Sequence, residues 1–151
     1  MVTPMTPDGE VDWESTEKLM AQLVADGVDG IVVTGTTGET STLTDKEKLQ
    51  LVTVGKSVAA GKAKIITGGG SNETAHAIEL YKASEKAGAD GAMVVTPYYN
   101  KPTQEGIYHH FAELAKASPL PIIVYNVPSR TGSSVEASTF IRLAQDFENI
   151  I

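Results

Sequence analysis

The chain of 151 residues contains no cysteine. That excludes a thiol nucleophile, a thiolate metal site and a disulfide framework, and it is compatible with a reducing compartment. Positive charge is also scarce: 12 Lys+Arg stand against 19 Asp+Glu, a formal net charge of −7. An acidic chain of this kind has no basic footprint for nucleic acid. Long hydrophobic runs are missing too. No stretch approaches the ~18 apolar residues of a membrane span, and Met1 to Asp8 has neither a basic nor an apolar segment of the kind that directs export. Neither nucleic acid nor membrane is therefore expected as a partner, and a cytoplasmic location is the default expectation. The one Asn-x-Thr tripeptide, Asn72-Glu73-Thr74, then reads as a helix start rather than a glycosylation acceptor. What is present, 41% hydrophobic and 21% charged residues, is ordinary for a globular domain with a real core.

Short apolar runs recur, and each ends on a polar residue. The ends are Thr3, Thr34, Thr67, Thr96 and Tyr125, separated by 31, 33, 29 and 29 residues. A period near thirty is the size of one strand–helix unit. The runs Ile31-Val32-Val33, Ile65-Ile66, Met93-Val94-Val95 and Ile122-Ile123-Val124 are continuous rather than alternating, as expected of parallel strands buried on both faces. A local echo, Gly27-Val28-Asp29-Gly30 and Gly88-Ala89-Asp90-Gly91, lies two units apart.

Helix signals fill the intervals. Asp12 precedes a stripe of Leu19, Met20, Leu23 and Val24 that stops at Gly27. Thr44-Asp45-Lys46-Glu47 is a capping box that opens a helix running through Leu51, Val54 and Val58. Further helices are expected from Asn72 and Glu73 to Gly88, from Gln104 to Lys116, and from about Ser134 through Phe140, Ile141 and Leu143. This alternation predicts an α/β fold, and its regularity favours a (β/α)8 barrel. About 250 residues make a whole barrel, so residues 1–151 are expected to form the N-terminal part of a single barrel domain, truncated at both ends. That part comprises one clipped strand at Val2-Thr3-Pro4, four full strands and the opening of a sixth at Asn149-Ile150-Ile151.

Barrel enzymes work at the C-terminal ends of their strands, which makes three segments candidates. They are Gly35-Thr36-Thr37-Gly38-Glu39, Pro97-Tyr98-Tyr99-Asn100-Lys101-Pro102, and Tyr125-Asn126-Val127-Pro128-Ser129-Arg130-Thr131-Gly132. Glycines let backbone approach a small ligand, and threonine hydroxyls and N–H groups can cradle a carboxylate or phosphate. A tight turn explains Gly-Thr-Thr-Gly equally well. The Tyr125 phenol can hold and pass a proton within a hydrogen-bonded chain, or it can be a core aromatic. Of Tyr98 and Tyr99, adjacent in sequence, only one is expected to reach the site. Arg130 can fork onto a carboxylate or make a surface ion pair. His109-His110 reads as a helix face with no third ligand nearby.

Together these three motifs resemble the dihydrodipicolinate synthase family, a class I aldolase-like family that also contains N-acetylneuraminate lyase. The resemblance covers the whole chain. It implies a (β/α)8 barrel that condenses pyruvate with L-aspartate 4-semialdehyde in lysine and diaminopimelate biosynthesis, with no metal or organic cofactor. It also implies that Tyr125 donates and accepts the proton, that Thr36 and Tyr99 complete a hydroxyl relay, that Thr37 binds the pyruvate carboxylate, and that Arg130 meets the semialdehyde carboxylate. In the family the tyrosine equivalent to Tyr99 is lent across a dimer interface, so a homo-oligomer, a tetramer as a dimer of dimers, is implied.

One part is absent. The family reaction starts with a lysine forming a Schiff base on the sixth strand, after a segment like Asn149-Ile150-Ile151. One more repeat step from Tyr125 falls at roughly position 154 to 158, so the 151-residue chain is expected to be inactive alone. Lys101 reads as a solvated charge, and Lys64 lies at the opposite end of the barrel. Asp45, Lys48 and His76 stand where lysine-inhibited members often carry histidines and a glutamate. Asn72 and Tyr98 match the effector pattern, but Lys48 predicts weak feedback inhibition. A sibling pyruvate aldolase and a non-catalytic half-barrel are the alternatives. Thr37 and Ser129-Arg130-Thr131-Gly132 argue against the first.

Overall fold

The computed structural model describes residues 1–151, and its elements alternate as the repeat predicts. α1 (Trp13–Ala25) leads to β1 (Gly30–Val33), α2 (Asp45–Ala59), β2 (Lys64–Gly69), α3 (Thr74–Lys86), β3 (Gly91–Val95), α4 (Gln104–Ala117) and β4 (Ile122–Tyr125). A short α5 (Pro128–Thr131) and then α6 (Ala137–Asp146) follow. The four strands form one parallel sheet in the order β1-β2-β3-β4. This is the α/β arrangement of part of a (β/α)8 barrel.

The start signals act where the sequence places them. The Asp12 carboxylate accepts from the Ser15 N–H at 3.0 Å. At α2, Glu47 N–H donates to the Thr44 hydroxyl while the Glu47 carboxylate accepts from Thr44 N–H at 2.8 Å. Two boundaries differ from expectation. α3 starts at Thr74, because Glu73 is its extended N-cap and makes no side-chain cap bond. α6 starts at Ala137 rather than near Ser134, because the Ser134 hydroxyl accepts from the Asn126 amide at 3.2 Å and so serves the loop.

Two strand expectations are corrected. Val2-Thr3-Pro4 forms no strand. The Met1 amine donates to the Val32 carbonyl at 2.8 Å and the Thr3 hydroxyl to the Gly38 carbonyl at 2.7 Å, while proline at position 4 has no N–H to add to a ladder. Nor are the strands buried on both faces. Ile31, Val33, Ile65, Ala92, Val94 and Ile122 are buried beneath the helices, whereas Val32, Ile66, Met93, Val95 and Ile123 on the other face are only partly covered. The core thus lies between sheet and helices, around Met20, Leu51, Phe111 and Leu143. Beyond β4 the chain returns alongside it. Ile150 pairs parallel with Ile122, and Ile122 N–H donates to the Asn149 carbonyl at 2.7 Å.

At the N-terminal ends of the strands a single carboxylate ties the layers together. Asp90 accepts from Lys56 Nζ and from Ile65 N–H, both at 2.8 Å, with Lys64 Nζ at 3.8 Å. Burial pushes the Asp90 carboxyl up, but these donors outweigh it and hold it below the usual range.

Candidate functional site

The loops at the C-terminal ends of the strands surround a cavity of about 340 Å³. Its first wall comes from a backbone reversal. Thr34 leaves β1 with φ 55°, a left-handed conformation that costs a non-glycine residue about 1–2 kcal/mol. Two features hold it there. The Thr34 hydroxyl, fully buried, donates to the Gly68 carbonyl at 2.6 Å. Gly68 has no side chain, and a Cβ at that position would lie 2.4 Å from the Thr34 carbonyl oxygen and 2.6 Å from Gly35 N. The reversal delivers Thr36 to a single 3-10 turn, Thr36–Gly38, which is followed by Glu39 at φ 55° and a second turn, Thr40–Thr42.

Thr36, Tyr125 and Arg130 line the same cavity, although 94 residues separate the first from the last. Arg130 belongs to α5, where a proline at the first helical position presets the turn, and its guanidinium takes part in none of the chain's ion pairs. In a chain of net charge −7, an unpaired guanidinium at a cavity wall is the group an anionic ligand would meet. Thr37 shares the turn with Thr36 but does not line the cavity.

Tyr98 lines the cavity, whereas Tyr99 lies outside it at 88% exposure, with φ 73°. The two adjacent tyrosines do diverge, as expected. Lys101, also at φ 43°, lays its stem over Gly132 and does not reach the cavity. Thr40 and Ser41, outside the three motifs, add hydroxyls to the cavity wall; the hydroxyl-rich segment from Thr36 to Thr44 is their signal in the sequence. No group of three or more His, Cys, Asp or Glu side chains is placed to hold a metal ion.

Beside the mouth, Asp45 accepts from His76 Nε2 at 2.7 Å and Lys48 Nζ at 3.0 Å. The His76 hydrogen bond, then that of Lys48, holds the Asp45 carboxyl below its usual range. Lys48 and His76, both expected at the effector side, thus share one carboxylate. His110 is buried on α4 at 4% exposure, bonded through Nδ1 to the Thr74 hydroxyl at 2.9 Å. Burial pushes its imidazole down to about 4.

Residues 1–151 match the profile of the Dihydrodipicolinate synthetase family along their full length. The chain belongs to that family. It is 51% identical over 145 residues to the 4-hydroxy-tetrahydrodipicolinate synthase of Moorella thermoacetica, covering 96% of this chain and 50% of that one. With the enzyme of the same name from Symbiobacterium thermophilum it shares 49% over 151 residues, covering 100% and 52%. The lysine-bound crystal structure of the synthase from Cyanidioschyzon merolae superposes with a TM-score of 0.97 at 49% identity, covering 100% of this chain and 52% of that one. The dihydrodipicolinate synthase family member therefore spans about half the length of the curated relatives it matches.

Proposed function

We propose that this chain provides the N-terminal half of a 4-hydroxy-tetrahydrodipicolinate synthase site, which condenses pyruvate with L-aspartate 4-semialdehyde. One observation carries the reading: Thr36, Tyr125 and the unpaired Arg130 guanidinium line one cavity at the strand ends. Both substrates are small carbonyl acids, so the site must bind carboxylates and move protons. Arg130 would hold the semialdehyde carboxylate, and the backbone amides of the Thr36–Gly38 turn, which Thr37 shares without lining the cavity, the pyruvate carboxylate. Tyr125 would pass protons to and from the reacting carbon and nitrogen through Thr36. Tyr99, exposed and outside its own cavity, would complete the relay in a second copy across a dimer interface of a cytoplasmic homotetramer.

Imine formation needs an amine in a desolvated site, and no lysine lines the cavity. The nucleophile would come from the next strand, beyond Ile151. Treatment with pyruvate and borohydride, followed by intact mass, tests the proposal. The 151-residue chain is expected to remain at 16.0 kDa without an adduct, and the full-length protein to gain one reduced pyruvate. A full-length protein that gains none overturns the reading.

A further inference from the structure

Gln104 is the first residue of α4. Its side chain crosses to the β4–α6 loop and uses both ends of its amide. Nε2 donates to the Ser134 carbonyl at 2.8 Å. Oε1 accepts from Glu136 N–H at 3.0 Å and from the Thr139 hydroxyl at 2.8 Å. Glu136 is the N-cap of α6 and makes no side-chain cap bond of its own. The Gln104 carbonyl therefore takes one donor at the α6 N-terminus that nothing local satisfies.

The same two loops are joined at three more points. The buried Ser133 hydroxyl donates to the Pro97 carbonyl at 2.7 Å, Tyr99 N–H donates to the Thr131 carbonyl at 3.3 Å, and Thr96 N–H donates to the Tyr125 carbonyl at 3.0 Å. One of these loops carries Tyr98 and Tyr99, and the other carries Arg130. We infer that Gln104 is a positioning residue that sets the Arg130 loop against the tyrosine loop and thereby fixes where the second substrate's carboxylate is held. It touches no cavity atom itself. Its effect on substrate rests on the synthase reading, whereas its effect on the loops does not.

Two variants separate the parts of the lock. Gln104→Ala removes all three bonds. Gln104→Glu keeps the acceptor for Glu136 N–H and Thr139 but loses the donor to Ser134. Hydrogen exchange on the full-length protein is expected to rise tenfold or more in segments 97–101 and 127–136 of Gln104→Ala, with α2 unchanged. Gln104→Glu should protect Glu136 and leave the rest of 127–136 fast. Exchange that is unchanged in both loops, or raised equally across the chain, overturns the inference. In steady-state kinetics Gln104→Ala is expected to raise KM for the aldehyde acid about tenfold with kcat within twofold, and Gln104→Glu to recover part of that rise. An unchanged KM, or a fall in kcat alone, overturns it. If the unaltered full-length protein traps no pyruvate, the synthase reading fails, and the exchange data alone decide the role of Gln104.

Discussion

The two ends of the sheet use the same backbone geometry with different residues. At the N-terminal ends of the strands, where each helix hands over to the next strand, the left-handed positions fall on Gly27, Gly61 and Gly88, at φ 82–94°. Only Ala60, the C-cap of α2, departs from this. At the C-terminal ends Gly70 and Gly132 share the region with four residues that carry side chains, Thr34, Glu39, Tyr99 and Lys101. Glycine adopts it without steric cost, whereas each side chain costs about 1–2 kcal/mol. Strain kept in side-chain-bearing residues gathers at one end, the end with the cavity and the unpaired Arg130. The other end holds one such residue, Ala60, and its Asp90 carboxylate is engaged by Lys56 Nζ and Ile65 N–H.

The largest break in that contrast should come from Gly68→Ala. Its Cβ would meet backbone at 2.4 Å, and backbone cannot yield as a flexible side chain does, so a loss of about 3 kcal/mol or more is expected in urea denaturation. Gly69→Ala, with nothing within 4 Å, should stay within about 1 kcal/mol. Equal losses in the two variants would show that the Thr34 reversal does not depend on Gly68.

Acid should reach the two ends at different pH. His110 titrates near 6.5 unfolded and about 4 folded, so the unfolded chain binds the extra proton between those values. Stability present above pH 6.5 should fall by about 3 kcal/mol as the pH drops to 4. Asp90 is held below its usual value, so its contribution persists through that window and disappears only as pH falls through the depressed carboxyl value. Melting temperatures from pH 7 to pH 4 check this, and His110→Gln should flatten the curve. A curve that stays as steep assigns the loss to other groups.

Gly27→Ala has open space around its Cβ but φ +83°, and should cost about 1 kcal/mol through conformation alone. The converse, Tyr99→Gly, should stabilise by about 0.5 kcal/mol, relief of the left-handed side chain being partly offset by glycine entropy. Under the proposed function it should also slow the full-length synthase. A stability gain joined to a rate loss would show strain kept for use; a stability loss would mean that Tyr99 packs against something its exposure does not reveal.

Much of the frame is legible in local sequence. Asp12, the Thr44–Glu47 box and the span of α4 act through bonds to residues three or four away, so local sequence contains all the information they need. The start of α6 was not legible, because Asn126 and Gln104 withdraw Ser134 into bonds with residues outside the helix. The half-covered face of the strands has a related reason: β-branched runs record that a face will be covered, not which residues cover it, and this chain spans about half the length of its relatives.

Thr36, Tyr125 and Arg130 could be picked from their places after strands, since the repeat puts every strand end on one side. Their convergence on one cavity, the divergence of Tyr98 from Tyr99, and the dependence of Thr34 on Gly68 required the fold. The sequence by itself determined the strand–helix period, the capped starts of α1 and α2 and the side of the sheet on which polar residues collect, because each rests on neighbours along the chain. Only the tertiary structure decided which hydroxyls share a cavity, which charge is left unpaired and which glutamine caps a helix 32 residues away, because those are contacts between segments whose approach no local spacing records.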